Sequence, residues 1–421
     1  MTITSRAKGI RETRTGPRLS AWPKKAVPAR FPGFPLFAIL FLWLSLAAPG
    51  EAPAQWCSCD RPGWSGPLIF DWEYRPKEAF KALSRELGGS GDSKTGLRTL
   101  AQGRLLLGTA LRFEAVRSDR RYTEVLLPQF NLVTPESALK FDQIHPQGLA
   151  SNPADPMGYD FSRADQLIGL AAANSLKARG HTLVWHGYLP EWVTQASADQ
   201  LPAIFTNHIL RVVGRYKDHR GADGTKTMIA YDVVNEAVND EGQLRSYDGL
   251  WGKFGGTEAE PAKLEFIRLM FETAFQADPE TKLFYNDFGC FTNKTKLDKV
   301  LSLAAWLKGV GAPIHGVGFQ THLTATDEGI GEKIRETART LEAMGLEMQI
   351  TEMDVRFQDC RGTEESQGQV YAEVLRECLG AANCTAFNLW GFTDRYTWFQ
   401  GCDNRGRRMN SVSRTLPLSP K

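Results

Sequence analysis

From residue 106 to residue 394, short apolar runs alternate with longer stretches of helical periodicity. The strand-like runs are LLGTALRF (106–113), FNLVTPES (130–137), ARGHTLVWH (178–186) and IAYDVVNEA (229–237). Four more follow: KLFYNDFG (282–289), GVGFQTHL (316–323), MQITEMDV (348–355) and TAFNLWGFTD (385–394). Between them lie segments whose apolar residues recur at helical spacing, most clearly 261–277 and 294–310. Near-continuous apolar runs suit strands buried on both faces, as in a parallel sheet covered by helices. Eight β-then-α units predict an α/β fold of the (β/α)8 TIM-barrel type. An open doubly wound sheet is the alternative for any alternating chain, but it rarely needs eight strands. No solenoid-type repeat is visible.

The runs open apolar and close polar, as in TPES, GHTLVWH, NEA, NDFG, QTHL, TEMD and WGFTD. In a barrel the C-terminal strand ends share one face, so these tails converge. Tails rich in Glu, Asp, Asn, Gln, His and Trp predict a site for a polar, ring-shaped ligand. Two glutamates stand out, Glu236 in YDVVNEA and Glu352 in QITEMDV. A glycosidic bond is cleaved by one carboxyl that protonates the leaving oxygen and another that attacks the sugar carbon. In retaining enzymes the pair lies about 5–5.5 Å apart, which opposed barrel strands can provide. A single Glu at a strand end is ordinarily a solvated turn residue. These two differ because both sit in long apolar runs beside polar neighbours.

DVVNEA and ITEMDV, with GHTLVWH, GVGFQTHL and WGFTDRYTW, resemble family 10 of the glycoside hydrolases, mostly endo-1,4-β-xylanases. The resemblance runs from about residue 97 to 398, with the motifs in the family's order. It implies a retaining endo-1,4-β-xylanase that cleaves internal bonds of xylan by double displacement, with Glu236 as acid/base and Glu352 as nucleophile. Asn235 matches the residue that bonds the sugar 2-hydroxyl. His322 matches the histidine that orients the nucleophile, with Asp354 holding its imidazole and Gln320 in the same shell. Lys140, His181 and Trp185 match partners of the cleaved sugar, Glu136 a contact one sugar further out, and Trp390 and Trp398 aromatic walls. Taken singly, Lys140 equally fits a solvated helix charge, His322 a core histidine, and the two tryptophans core residues. Asn286 and Asp287 read as stabilising a turn, and His145, His208, His219 and His315 as structural. Xylan or a xylo-oligosaccharide is the implied partner, bound by a monomer without cofactor or metal. Two other readings stay open, a glycosidase acting on another β-1,4-glucan-type chain and a non-catalytic sugar binder.

The chain departs from the family at several positions. The family usually has Asn at Ser137, Gln at Tyr188, Tyr at Phe288, and Trp at Phe141 and Tyr231. Ser137 and Tyr188 alter hydrogen bonding on the non-reducing side. Past Trp398 a family member completes an eighth helix, whereas CDNRGRRMNSVSRTLPLSPK has little helical periodicity. Either the final helix is missing or the reading frame diverges near Gly401.

Composition changes the picture only at the ends. With 42% hydrophobic and 23% charged residues and a net charge of +2, the 421-residue chain gives no reason to invoke nucleic acid or an anionic membrane. A basic stretch with Arg6, Lys8, Arg11, Arg14, Arg18, Lys24, Lys25 and Arg30 precedes the apolar run LFAILFLWLSLAA (36–48) and a small-x-small site ending at Ala54. That order describes a signal peptide and a secreted protein, extracellular or periplasmic. An uncleaved anchor is the alternative, but spanning a bilayer takes about 20 apolar residues. The domain reading is therefore signal peptide 1–54, linker or N-terminal extension 55–96, catalytic barrel 97–400 and irregular tail 401–421. Within the extension, residues 77–87 form a short helical patch, and Trp56, Trp64 and Trp72 read as packing on the neighbouring domain, with a remnant sugar-binding surface as the alternative. Of seven cysteines, Cys378 and Cys384 are close enough for a local disulfide. Cys57, Cys59, Cys290, Cys360 and Cys402 show no interpretable spacing. Asn293-Lys294-Thr295 and Asn383-Cys384-Thr385 are glycosylation sequons.

Overall fold

The computed structural model describes residues 66–147, 158–357 and 361–399. Eight parallel strands form a closed barrel: β1 (Leu106–Leu111), β2 (Leu132–Pro135), β3 (Lys177–Gly180), β4 (Met228–Asn235), β5 (Lys282–Asp287), β6 (Gly316–Phe319), β8 (Glu347–Arg356) and β9 (Cys384–Leu389). Closure comes from β9 pairing with β1 (Leu107 opposite Phe387) and β6 with β8 (Val317 opposite Met348). β7 (His322–Thr324) is a short addition that pairs with the outer end of β8, setting His322 opposite Asp354. The strands fall within the apolar runs or overstep them by a single residue at an end, and the polar tails of those runs lie at the C-terminal mouth.

Helices cover the barrel, among them Ser162–Ala173, Leu201–Tyr216, Glu260–Ala277, Lys294–Gly309, Ile330–Ala343 and Glu364–Gly380. Their starts follow from local chemistry. Asn293 accepts from the Lys296 N–H at the start of Lys294–Gly309, and Thr363 forms a reciprocal capping box with Ser366 at Glu364–Gly380. His145 and His208 are core residues, stacked with Phe141 and Tyr159. Burial pushes the His208 imidazole down to about 3, so it stays neutral in this apolar layer.

The described part of the 55–96 stretch packs on the barrel. Phe70 bridges to Thr393, and helix Glu78–Glu86 lies along helix Glu364–Gly380. The Arg395 guanidinium sits 5.5 Å over the Trp72 ring, so that tryptophan packs as expected. After β9 only the single turn Asp394–Tyr396 is helical among the described residues. The disulfide Cys378–Cys384 forms and ties the end of helix Glu364–Gly380 to β9, while Cys290 is buried and free. The leader, the tail, Trp56, Trp64 and Cys57, Cys59, Cys360 and Cys402 lie outside the described residues. No helix among the described residues is long and apolar enough to cross a membrane.

Candidate active site

A cleft of about 640 Å3 opens at the C-terminal mouth of the barrel, and both glutamates line it. Glu236 directly follows β4, and Glu352 lies within the long strand β8. Both are nearly buried, at 9% and 4% exposure. Glu236 takes a left-handed backbone conformation (φ 57°), which costs a non-glycine residue free energy and persists only where neighbours hold it. Here the Glu236 N–H donates to the Asn286 carbonyl (2.9 Å), and Arg245 Nε donates to the Glu236 carbonyl (2.7 Å). The resulting turn aims the carboxylate into the cleft.

Neutral donors surround Glu236. Gln320 Nε2 donates to Oε1 at 2.8 Å, Asn235 Nδ2 to the same atom at 3.1 Å, and Trp185 Nε1 to Oε2 at 2.8 Å. Glu352 has a different setting. Asn286 Nδ2 donates to its Oε1 at 2.8 Å, and His322 Nε2 approaches Oε2 at 3.5 Å. His322 Nδ1 in turn faces Asp354 Oδ2 at 3.0 Å. Burial alone would lower the His322 imidazole, but Asp354 and Glu352 outweigh it and push it up to about 10. The ring is therefore a cation at neutral pH, set between two carboxylates.

Asn286 connects the two halves, since it donates to both Asn235 Oδ1 (2.9 Å) and Glu352 Oε1 and accepts from Thr351 (2.7 Å). The turn-stabilising role expected from sequence is thus incomplete for Asn286: its side chain belongs to the carboxylate network. Its strand-end tail NDFG was the available signal. Asp287 points elsewhere, accepting from Tyr285 Oη (2.5 Å) and facing Lys296 Nζ (3.1 Å). Burial raises its carboxyl to about 6 against the pull of Lys296. Sequence reading also missed Arg179 and Asp232. Asp232 faces His181 Nδ1 at 3.0 Å, and Arg179, wholly buried, pairs with Asp232 and Gln349. A charged residue at an inward position of an apolar strand was their only trace.

The remaining expected residues are mostly gathered in one place. Lys140, His181, Trp185, Trp390 and Trp398 all line the cleft. Lys140 is buried, its Nζ 5.0 Å from the Trp185 ring and 4.2 Å from that of Tyr188, so it is no solvated helix charge. Trp390 packs edge-on against His181, whereas Trp398 is 39% exposed and donates from Nε1 to Asp354 Oδ2 at 2.8 Å. Glu136 stands apart. It is not among the cleft-lining residues, and Arg112 forks onto its carboxylate at 2.7 and 3.1 Å. Of the departures, Tyr188 is 47% exposed and stacks on Trp185, and Phe288 lies under Lys296 Nζ.

Known proteins resemble this chain in sequence and fold. Residues 96–412 match the family model described as Glycosyl hydrolase family 10. Endo-1,4-beta-xylanase 1 of Humicola insolens is 33% identical over 298 residues, covering 69% of this chain and 64% of its own. The beta-1,4-xylanase of Dictyoglomus thermophilum is 34% identical over 303 residues, covering 68% and 78%. This chain therefore spans just under two thirds of the Humicola protein and over three quarters of the Dictyoglomus one. Native xylanase 10B of Thermotoga maritima superposes with a TM-score of 0.63 at 32% identity, over 75% of this chain and 95% of its own. Xylanase 10B of Thermotoga petrophila, solved in complex with xylobiose, gives 0.63 at 30%, over 76% and 95%. With a closed parallel barrel, two glutamates at its mouth and a family match over most of its length, this chain belongs to glycosyl hydrolase family 10.

Proposed function

We propose that the chain is a retaining endo-1,4-β-xylanase in which Glu352 is the nucleophile and Glu236 the acid/base. The carrying observation is the asymmetry of two buried carboxylates on one hydrogen-bond network, one beside a cation and the other among neutral donors. In the first step a Glu352 oxygen attacks the anomeric carbon, and the bond to the leaving chain breaks. Glu236 gives its proton to the departing oxygen. In the second step water attacks the same carbon from the vacated side. Its proton passes to Glu236, and the bond to Glu352 breaks. Two inversions give net retention.

The other groups bind and orient. Asn286 fixes one oxygen of Glu352, and the His322–Asp354 pair holds a positive charge at the other. Trp390 and Trp398 offer ring faces to pyranose rings, with Lys140 and His181 as polar partners on the cleft wall. Glu136, screened by Arg112, acts one sugar further out. The open cleft suits a chain cut at internal bonds. Export through the basic-then-apolar leader fits the Cys378–Cys384 disulfide, since disulfides persist in oxidising compartments. The working form is a monomer, with its catalytic barrel between about residues 97 and 400 joined by the packed N-terminal stretch.

The test is hydrolysis of a defined xylo-oligosaccharide followed by NMR of the first-formed anomer. The expected product is the β-anomer, with internal bonds cut first. A first-formed α-anomer, or no release of reducing ends from xylan, overturns the reading. Faster cleavage of soluble cellulose than of xylan would move the substrate to a glucan chain.

A further inference from the structure

A closed barrel needs a helical cover over every strand crossing, because each strand is apolar on its outer face as well. Seven of the gaps are covered by elements that follow a strand directly. The remaining one lies between helix Glu364–Gly380, which follows β8, and helix Arg120–Gln129, which follows β1. Among the described residues, no helix longer than one turn follows β9. Yet the gap is filled. Helix Glu78–Glu86 packs on Glu364–Gly380 on one side and on Leu97–Leu100 on the other, and the latter packs on Arg120–Gln129.

The contacts are those of a core element. Ala79, Phe80, Leu83 and Leu87 are buried at helical spacing, and the Phe80 ring lies 5.0 Å from Phe70, which meets Phe392 edge-on. Helix Glu364–Gly380 makes room with Gly368, where a Cβ would come within 3.2 Å of the Glu78 carbonyl. Just upstream, residues 66–71 run beside the end of β9. Phe70 N–H donates to Phe392 O, and Asp394 N–H donates to Phe70 O. The Asp394 carboxylate accepts from Leu68 N and Gly66 N, both at 2.9 Å, and pairs with Lys77 Nζ at 3.0 Å. Lys77 and Asp394 are almost wholly buried, and Lys77 also donates to the Gly66 carbonyl. On the far side Tyr74 and Tyr396 both donate to Asp119, the N-cap of helix Arg120–Gln129.

We propose that residues 66–88 are the eighth closing unit of the barrel, supplied from the N-terminal side of the chain, and that Lys77 is a positioning residue for the aromatic wall through its pair with Asp394. Asp394 lies between Trp390 and Trp398, and Trp398 donates to the Asp354 that holds His322. The segment thereby fixes the loop that bounds the cleft on this side. Its role in substrate affinity rests on the xylanase reading, while its role in closure does not.

Two full-chain experiments separate these points. First, a specific protease site replaces the exposed residues 92–95, and the purified chain is nicked under native conditions. The N-terminal fragment is expected to stay with the barrel through gel filtration. Its release, with the barrel remaining folded, overturns the closing role, whether or not the enzyme cleaves xylan. Second, Lys77→Met keeps the apolar stem and removes the charge. The expected result is a KM for xylan raised about tenfold, with kcat on an activated aryl xyloside within about twofold of the unchanged chain. A lower thermal midpoint with KM unchanged at 25 °C would make Lys77 merely structural and overturn its positioning role. An unmodified chain inactive on xylan would sink the functional reading alone, because co-elution of the nicked fragments still reports on closure.

Discussion

Glu236 and Glu352 sit at the same mouth, on the same hydrogen-bond network, yet their surroundings differ in kind. Every side chain that donates to Glu236 is neutral: an amide from Gln320, another from Asn235 and an indole from Trp185. Glu352 faces His322, whose ring Asp354 keeps charged. A group that must hand over a proton and later take one back is served by partners that carry no fixed charge. A group that attacks as an anion is served by a neighbouring cation. The proposed division of roles thus rests on the partners, since the two side chains are chemically identical.

The sharpest way to break this contrast is to delete each carboxylate. Glu352→Ala is expected to lower kcat on xylan on the order of 10^5-fold or more, for every leaving group, because no covalent intermediate can form. Steady-state rates on xylan and on aryl xylosides measure this. Glu236→Ala is expected to cost about 10^2–10^4-fold on xylan and far less on a leaving group that needs no proton. Equal losses on both substrates would remove Glu236 from the acid role.

Smaller changes sharpen the contrast through the partners. Asp354→Asn keeps the shape beside His322 but removes its counter-charge, and a fall in kcat/KM of about 10–100-fold is expected. The alkaline limit of the pH–rate profile should move down with it, because His322 then loses its charge earlier. The same ring links pH to stability. Its folded value of about 10 lies above the free value of 6.5, so its stabilisation is complete below pH 6.5 and is lost as pH rises towards 10. Unfolding midpoints from pH 6 to 10 should therefore fall more steeply in the parent than in Asp354→Asn. Farthest from the site, Cys378→Ser opens a short loop and should cost about 2 kcal/mol of stability with kcat unchanged. Denaturant titration beside the xylan assay checks both halves of that statement.

The parts of the molecule legible in the sequence are those in which local pattern and tertiary role agree. The eight strands follow from apolar runs, and their polar tails mark the catalytic mouth because a parallel barrel puts all its strand ends on one side. Asn286 was harder to see, since an Asn-Asp pair after a strand is ordinary turn chemistry and only the geometry turns one side chain inward. Asp232 and Arg179 were hidden for a related reason: a buried ion pair leaves two separated charges in two apolar runs and nothing to join them. Residues 66–88 mislead most. Their Gly, Pro and Trp content reads as a linker, although the helix inside was visible from its own periodicity. What no local pattern carries is its partner, because Gly66 and Leu68 meet Asp394 across more than 320 residues of chain.

The central claim is that Glu352 becomes covalently attached to the sugar. The most direct measurement is mass spectrometry of peptides after reaction with a 2-deoxy-2-fluoro xylobioside carrying an activated leaving group, which slows the second step more than the first. The account predicts a single adduct on the peptide that contains Glu352, lost in Glu352→Ala. An adduct on a different carboxylate would contradict it.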